Sequence, residues 1–150
     1  MTGYLNDPAR TADALADGWY ITGDIAVIDE DGFIRITDRL ARFSKIGGEM
    51  VPHGRIEEAA AAIPGVTRAV VIAVADAARG EKLVLLYMGE DVVAPENLWN
   101  GLSQAELPNL WIPKRQQIHR VPDLPVLATG KIDLQATRRL ALELSQKVEA

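Results

Sequence analysis

The stretch VTRAVVIAVADAARGEKLVLLYM, residues 66–88, holds two apolar runs joined by a short polar segment. Neither run alternates regularly between apolar and polar positions, as a strand with one face in water does. Each run therefore predicts a strand that is buried on both faces. Both are far too short to cross a bilayer, so we expect them at the centre of the sheet of a globular protein.

The segments around these strands predict the helices that cover them. Over residues 54–63 apolar side chains recur at helical spacing, and Pro64-Gly65 ends the run. Pro95 predicts the start of another helix, which turns Leu98 and Leu102 inward.

The remaining C-terminal sequence is rich in proline up to residue 131. It is predicted to be extended or looped, with an edge strand around Arg115–Val121. A last helix is predicted to begin near Asp133, and its apolar stripe consists of Leu134, Ala141, Leu144 and Val148.

The N-terminal third has turn signals instead of long apolar runs. Asp7-Pro8 predicts a capped helix that extends to about Ala16. Asp31-Gly32 and Gly47-Gly48 each lie between apolar stretches and predict two hairpins. The order of elements predicts an α+β fold: a small mixed sheet covered by helices, plus N-terminal β-hairpins.

Composition excludes several classes of function. The net charge of −5 argues against a nucleic-acid-binding protein, which usually has a basic face. The chain has no cysteine and only two histidines, so we expect no disulfide framework and no metal site. No signal peptide is recognisable, and the chain is expected to be soluble and, as a fragment, cytoplasmic.

Two constellations in the first half of the chain carry possible chemistry. Asp24, where a turn meets a strand, could accept hydrogen bonds from a vicinal diol such as ribose, although its spacing alone favours a turn-capping aspartate. Arg39 ends a strand and could bind an oxygen-rich ligand, and Gly47-Gly48 would let a narrow group approach the backbone. The alternative is a solvated strand end and an ordinary turn.

A third constellation is ATGKID, residues 128–133. It is not a phosphate-binding P-loop, because Pro125 and Ile132 occupy positions that need glycine and Ser or Thr. Lys131 suits an anion that develops during a reaction. The alternative is a functionless cation at a helix start, where a positive charge is mildly unfavourable.

Together these stretches resemble the C-terminal part of adenylate-forming acyl-activating enzymes, the superfamily of acyl-CoA synthetases, peptide-synthetase adenylation domains and luciferases. The resemblance covers GYLNDPARTADALADGWYITGD, DGFIRITDRLARFSKIGGEMV and VLATGKIDL, in the family's order. It implies that a fatty acid attacks the α-phosphate of ATP, used with Mg²⁺, to give an acyl-adenylate. A phosphopantetheine thiol of acyl carrier protein or CoA then takes the acyl group.

The resemblance also implies roles for single residues. Asp24 and Arg39 match the family's ribose-contacting residues, and Lys131 matches the lysine that enters the active site during adenylation. Gly47 and Gly48 would line the pantetheine tunnel after the small domain has rotated about a hinge near Ala41. Residues 1–41 are then the tail of the large N-terminal adenylation domain with the hinge, and residues 42–150 are the mobile C-terminal domain.

A narrower resemblance is to the acyl-ACP synthetase part of bifunctional 2-acylglycerophosphoethanolamine acyltransferase/acyl-ACP synthetases, through SKIGGEMVPHGRIEE, RGEKLVLLY and LPNLWIPK. It implies a full-length protein at the cytoplasmic face of the bacterial inner membrane. Met50 stands where relatives often carry an arginine that faces CoA, which favours a carrier-protein thiol. Because the phosphate loop and fatty-acid pocket are not recognisable, the chain is expected to be a fragment that is inactive alone.

Two other interpretations stay open at this point. One is the small domain of a fatty acyl-CoA synthetase. The other is a non-catalytic domain that docks an acidic carrier protein through basic side chains, for which Arg42, Lys45, Lys114 and Arg115 are the candidates.

Overall fold

The structure is a computed structural model that describes residues 1–78 and 80–149, with side chains described up to residue 147. Its described part contains four α-helices: α1 Pro8–Ala14, α2 His53–Ala61, α3 Pro95–Gln104 and α4 Leu134–Glu149. The described strands form four separate small sheets: β1 Leu15–Ala16 with β2 Trp19–Tyr20; β3 Asp24–Ile28 with β4 Ile34–Arg39; β5 Phe43–Ile46 with β6 Glu49–Pro52; and β7 Val66–Asp76, β8 Gly80–Gly89 and β9 Ile118–Arg120. The chain divides into two compact units, Met1–Ala41 and Arg42–Ala150.

The first unit consists of α1 and two hairpins. Asp7 caps α1 as predicted, because its carboxylate accepts the N–H of Arg10 at 2.9 Å and proline follows at the first helical position. No residue of this unit is buried, and several large apolar side chains are mostly exposed, including Trp19, Phe33 and Ile36. The unit therefore has no hydrophobic core of its own.

The predicted end of α1 near Ala16 is wrong. The helix ends at Ala14, because Leu15–Ala16 pairs with Trp19–Tyr20 in a two-residue hairpin. Asp17 and Gly18, the two turn residues, have φ of 51° and 82°. An Asp-Gly pair readily adopts two positive φ angles, so the chain forms this hairpin turn and the helix does not continue.

The second unit is built on a three-stranded sheet with the order β7-β8-β9. β7 and β8 are the two strands predicted from residues 66–88, and they pair antiparallel along their whole length. β9 lies at the edge, as predicted, and runs parallel to β8 after a connection that contains α3. The sheet is therefore mixed, and the predicted α+β class is confirmed.

Helices cover both faces of this sheet. On one face the alternate side chains Val71, Leu85 and Tyr87 pack with the buried apolar residues of α2 and α3, which include Leu98 and Leu102 as predicted. The other face packs against α4, where the core residues are Val70, Ile72, Val74, Val84, Leu86, Val121, Leu124 and Ala141. Burial on both faces explains why β7 and β8 lack a polar alternation.

The predicted apolar stripe of α4 is correct only in part. Ala141 is buried and Leu144 packs against the core, whereas the side chain of Val148 lies outside the described residues. The prediction that Leu134 belongs to the buried stripe is wrong, since Leu134 is 37% exposed. It is the first residue of α4, and Ile132, just before the helix, packs against the core instead.

Candidate active site

The β3-β4 hairpin brings Asp24 and Arg39 together. The two residues are register partners at the open end of the hairpin, and Arg39 Nε lies 3.0 Å from Asp24 Oδ1. This is an ion-pair distance without the alignment of a hydrogen bond, so the buried Oδ1 keeps unused acceptor capacity within the described residues. The side chain of Arg39 is 67% exposed, so its guanidinium group remains accessible to a ligand.

This geometry does not match the turn-capping alternative. The backbone N–H of Asp24 donates to Thr22 Oγ1, while no described group donates a hydrogen bond to Asp24 Oδ1. A sheltered carboxylate oxygen that lacks a donor is suited to a ligand hydroxyl, and such charge-assisted bonds contribute about 1.5–3 kcal/mol each. The pair can thus present one acceptor and several donors to a polyhydroxylated ligand.

Gly47 and Gly48 form the two-residue turn between β5 and β6. Their φ angles are 57° and 94°, which only glycine adopts without strain at both positions. A Cβ added at either residue would meet no described heavy atom within 4 Å, so the turn borders open space. Met50, which follows on β6, is 49% exposed.

The loop that carries Lys131 is tied down on both sides. Leu127 N–H donates to the carbonyl of Lys131 at 2.8 Å, Gly130 N–H donates to the carbonyl of Leu127 at 2.8 Å, and Asp133 N–H donates to the carbonyl of Pro125 at 2.9 Å. Ile132, next to the lysine, packs against the core. Gly130 completes the turn with a φ of 78°.

The side chain of Lys131 is nevertheless exposed. Within residues 1–78 and 80–149, the side chain of Lys131 has no recorded ion-pair partner. The loop thus combines a fixed backbone with an ammonium group that is available to a ligand. This is the arrangement that the proposed electrostatic role of a lysine requires.

The predicted site residues fall into two sets. Asp24 and Arg39 belong to the first unit, whereas Lys131 and the Gly47-Gly48 turn belong to the second. Each set is formed locally by a hairpin or a short loop.

The four candidate docking cations differ in their partners. Arg42 pairs with Glu57, and both side chains are largely covered. Arg115 pairs with Glu96 at the surface. Lys45 and Lys114 are exposed. Arg42 is therefore a poor docking residue, because its guanidinium is already committed within the second unit.

Sequence reasoning missed two polar side chains, one buried and one largely covered. Gln117 is 1% exposed, and its Oε1 lacks a hydrogen-bond partner among the described residues. It lines a cleft of about 40 Å³ beside Lys114. That volume holds a few water molecules and is too small for a nucleotide or an acyl chain. The second side chain is that of Glu57, which is 17% exposed and pairs with Arg42. In the sequence it resembles an ordinary carboxylate on the surface of a helix.

The described residues contain neither a metal-binding cluster nor a membrane-spanning helix. No group of three or more His, Cys, Asp or Glu side chains in the described chain is arranged to hold a metal ion. Among the helices of the described part, none is both long and apolar enough to cross a membrane.

The fold is that of a small domain of adenylate-forming enzymes. The chain belongs to the AMP-binding enzyme C-terminal domain family, whose model matches residues 55–131.

Relatives whose names state an activity agree with this class. The chain is 33% identical to probable acyl-activating enzyme 6 of Arabidopsis thaliana over 98% of its own length and 27% of the relative's. It is 32% identical to a long-chain-fatty-acid–CoA ligase of Salmonella typhimurium, over 88% of the chain and 23% of the ligase. The structure resembles ATP-bound MatB of Rhodopseudomonas palustris with a TM-score of 0.81 and 29% identity, over 95% of the chain and 28% of MatB. The chain thus spans only about a quarter of the length of these proteins.

Proposed function

We propose that the chain is the C-terminal part of a ligase that activates a fatty acid as its adenylate. The exposed ammonium of Lys131 on a loop with a fixed backbone is the observation that carries this proposal. The fatty-acid carboxylate attacks the α-phosphate of ATP, pyrophosphate leaves, and Mg²⁺ enters with the nucleotide. Lys131 neutralises the negative charge that these reacting groups bring together.

Asp24 and Arg39 are proposed to hold the ribose. The unused acceptor capacity of Asp24 Oδ1 fits a ribose hydroxyl, and Arg39 keeps its carboxylate partner in place from the opposite strand. Binding at this hairpin fixes the nucleotide without taking part in bond formation.

Residues 1–41 are proposed to be the last part of a large N-terminal adenylation domain, and residues 42–150 to be the mobile C-terminal domain. The absence of any buried residue in Met1–Ala41 supports this division, since such a unit needs another surface to cover its apolar side chains. The large domain would supply the fatty-acid pocket. On its own the chain is expected to be inactive, because positioning of the substrates provides much of the rate.

In the second step a phosphopantetheine thiol that passes the Gly47-Gly48 turn is proposed to attack the acyl carbonyl of the adenylate, which forms the thioester and releases AMP. The exposed, uncharged Met50 favours a carrier protein as the donor of this thiol, because the nucleotide phosphates of CoA would need a cation. The names of the relatives favour CoA, as with the long-chain-fatty-acid–CoA ligase. Acylation of 2-acylglycerophosphoethanolamine by the product rests on the sequence resemblance alone.

The choice of acceptor is tested with the full-length enzyme. Thioester formation is measured with CoA and with acyl carrier protein at equal concentrations. Faster transfer to the carrier protein is expected, and a strong preference for CoA would overturn this part of the proposal while leaving adenylation untouched.

Lys131→Ala in the full-length enzyme tests the first step. We expect adenylate formation, measured as pyrophosphate release, to fall by about 10²-fold or more. Transfer from supplied acyl-adenylate should be largely spared. Lys147→Ala, at another exposed lysine of the second unit, is the matched control and should change neither step. An equal loss in both half-reactions would contradict the role of Lys131.

A non-catalytic docking domain is the alternative that exposed Lys114 supports. Reversal of Lys114 and Arg115 to glutamate should weaken binding of the chain to an acidic carrier protein, measured by calorimetry. Unchanged binding would remove these two residues from the docking surface.

A further inference from the structure

The segment that joins the two units is fixed on its N-terminal side by a backbone hydrogen bond. Leu40 N–H donates to the carbonyl of Gly23 at 2.7 Å. Gly23 directly precedes β3, so this bond ties Leu40 to the first unit beside the Asp24–Arg39 pair. Leu40 therefore moves with the candidate ribose site.

On the C-terminal side the segment is fixed by a side chain. Arg42 is the first residue of the second unit, and its guanidinium pairs with Glu57 on α2. The side chains are only 21% and 17% exposed, so solvent screens this pair less than it screens an open surface pair. Arg120–Asp91, by comparison, has an aspartate that is 98% exposed.

Glu57 is itself held by the sheet. While one carboxylate oxygen, Oε2, pairs with Arg42, the other, Oε1, accepts the backbone N–H of Val71 at 2.7 Å. Val71 lies in β7, an edge strand of the described sheet, and in that sheet this N–H faces no neighbouring strand. Both oxygens of one carboxylate thus connect Arg42 to β7 at Val71, whose side chain is fully buried.

Only Ala41 lies between these two anchors. It is exposed, and its methyl group is too small to restrict the backbone by packing. We propose that the Arg42–Glu57 pair is a clamp that confines reorientation of the second unit to the backbone torsions next to Ala41. Arg42 is then a positioning residue that joins the hinge to the unit that carries Lys131 and the Gly47-Gly48 turn.

The clamp proposal rests on the proposed function, in which the second unit alternates between two poses, one for each step. A single pivot allows two defined orientations, whereas a longer flexible linker allows many. Loss of the clamp should therefore slow the passage between the two half-reactions more than it slows either half-reaction alone.

The first test uses the 150-residue chain and does not depend on ligase activity. Backbone order parameters are measured by NMR for residues 40–43 in the unchanged chain, in Arg42→Ala and in Glu57→Gln. Glu57→Gln removes the charge but retains an acceptor for Val71, which keeps the sheet edge satisfied. In the unchanged chain we expect an order parameter below about 0.6 at Ala41 and values near about 0.85 at residues 42 and 43, which the clamp holds to the second unit.

In both variants the low values should extend to residues 42 and 43. Arg42→Lys should restore part of the order, and Arg120→Ala, which breaks another ion pair of the second unit, should leave residues 40–43 unchanged. Low values at residues 42 and 43 in the unchanged chain, uniformly high values across Ala41, or variants that look unchanged would each overturn the clamp.

The second test uses the full-length enzyme. Arg42→Ala should lower overall turnover while single-turnover adenylation and the KM for ATP stay the same. If overall turnover and single-turnover adenylation fell together and the KM for ATP rose, Arg42 would act only through stability. That result would also overturn the proposal. If Lys131→Ala failed to reduce adenylation while the order parameters behaved as expected, the proposed function would fail and the clamp would stand.

Discussion

Gly130→Ala tests whether the backbone of the Lys131 loop sets the position of its ammonium group. Gly130 has a φ of 78°, a left-handed conformation that costs an L-residue about 1–2 kcal/mol. An added Cβ would meet no described heavy atom within 4 Å, so no steric clash adds to this cost. Stiffening of the unfolded chain by alanine returns about 0.4–1 kcal/mol. The net loss in the free energy of unfolding should therefore be near about 1 kcal/mol.

The same strain can be relieved if the loop leaves its turn, which breaks the hydrogen bonds between Leu127 and its partners Gly130 and Lys131. Each 1.4 kcal/mol is a tenfold change in population, so adenylation in the full-length enzyme should fall by up to about tenfold. This is less than the loss expected for Lys131→Ala. Gly130→Asn is the matched control, since asparagine tolerates the left-handed conformation better, and it should retain more activity.

Urea unfolding of the 150-residue chain measures the stability term, and pyrophosphate release measures the activity term. A loss above about 3 kcal/mol in the free energy of unfolding would mean that the alanine methyl group clashes with its surroundings. That result would contradict the open space around Gly130. Full activity in Gly130→Ala would show that the turn does not position Lys131.

Three further predictions concern the second unit. Tyr87→Phe should lower the free energy of unfolding by about 1–3 kcal/mol in urea at pH 7, because the buried Tyr87 hydroxyl donates to the carbonyl of Val93 at 2.6 Å; a change below a few tenths would contradict that bond. Leu98→Ala should cost about 2–5 kcal/mol, since Leu98 is fully buried between α3 and the sheet, and a stable variant would refute its place in the core. Burial lowers the pKa of His119, so its neutral form is favoured in the folded state and stability should be lost as pH falls from 6.5 through the folded value. In His119→Leu the urea midpoint of unfolding should fall less as the pH drops below 6.5. An unchanged fall would mean that other groups cause the loss of stability.

Much of the second unit could be predicted because its signals are local. Apolar residues on both faces mark β7 and β8 as buried strands, and two adjacent glycines mark the β5-β6 turn. Leu98 and Leu102 lie four residues apart behind a proline, which is enough to predict both a helix and its inward face. Each of these patterns depends only on neighbours in sequence.

Other features depend on contacts that the sequence does not show. The parallel direction of β9 requires the crossover through α3 to be known, and three residues are too few to specify it. Glu57 follows Ile56 and precedes another glutamate, so nothing local separates it from a solvated charge. Its role appears only when Arg42 and the edge amide of Val71 are placed beside it.

The candidate site shows the same division. A hairpin with a known turn predicts that its open ends meet, so the proximity of Asp24 and Arg39 follows from Asp31-Gly32. The bulge between Ile25 and Ala26, which adjusts the register, does not follow from the sequence. The hydrogen bonds that fix the Lys131 loop depend on backbone torsions at Gly130 and could not be predicted from residue types alone.

The carboxylate of Glu57 also has a consequence for self-association. β7 is eleven residues long and has one lateral edge without a neighbouring strand in the described sheet, which is a template for pairing with the same edge of another copy. By occupying the N–H of Val71 near the middle of that edge, Glu57 interrupts the row of groups that such intermolecular pairing would use. The contact that orients Arg42 thus also blocks the middle of an edge through which two copies of the chain could otherwise pair.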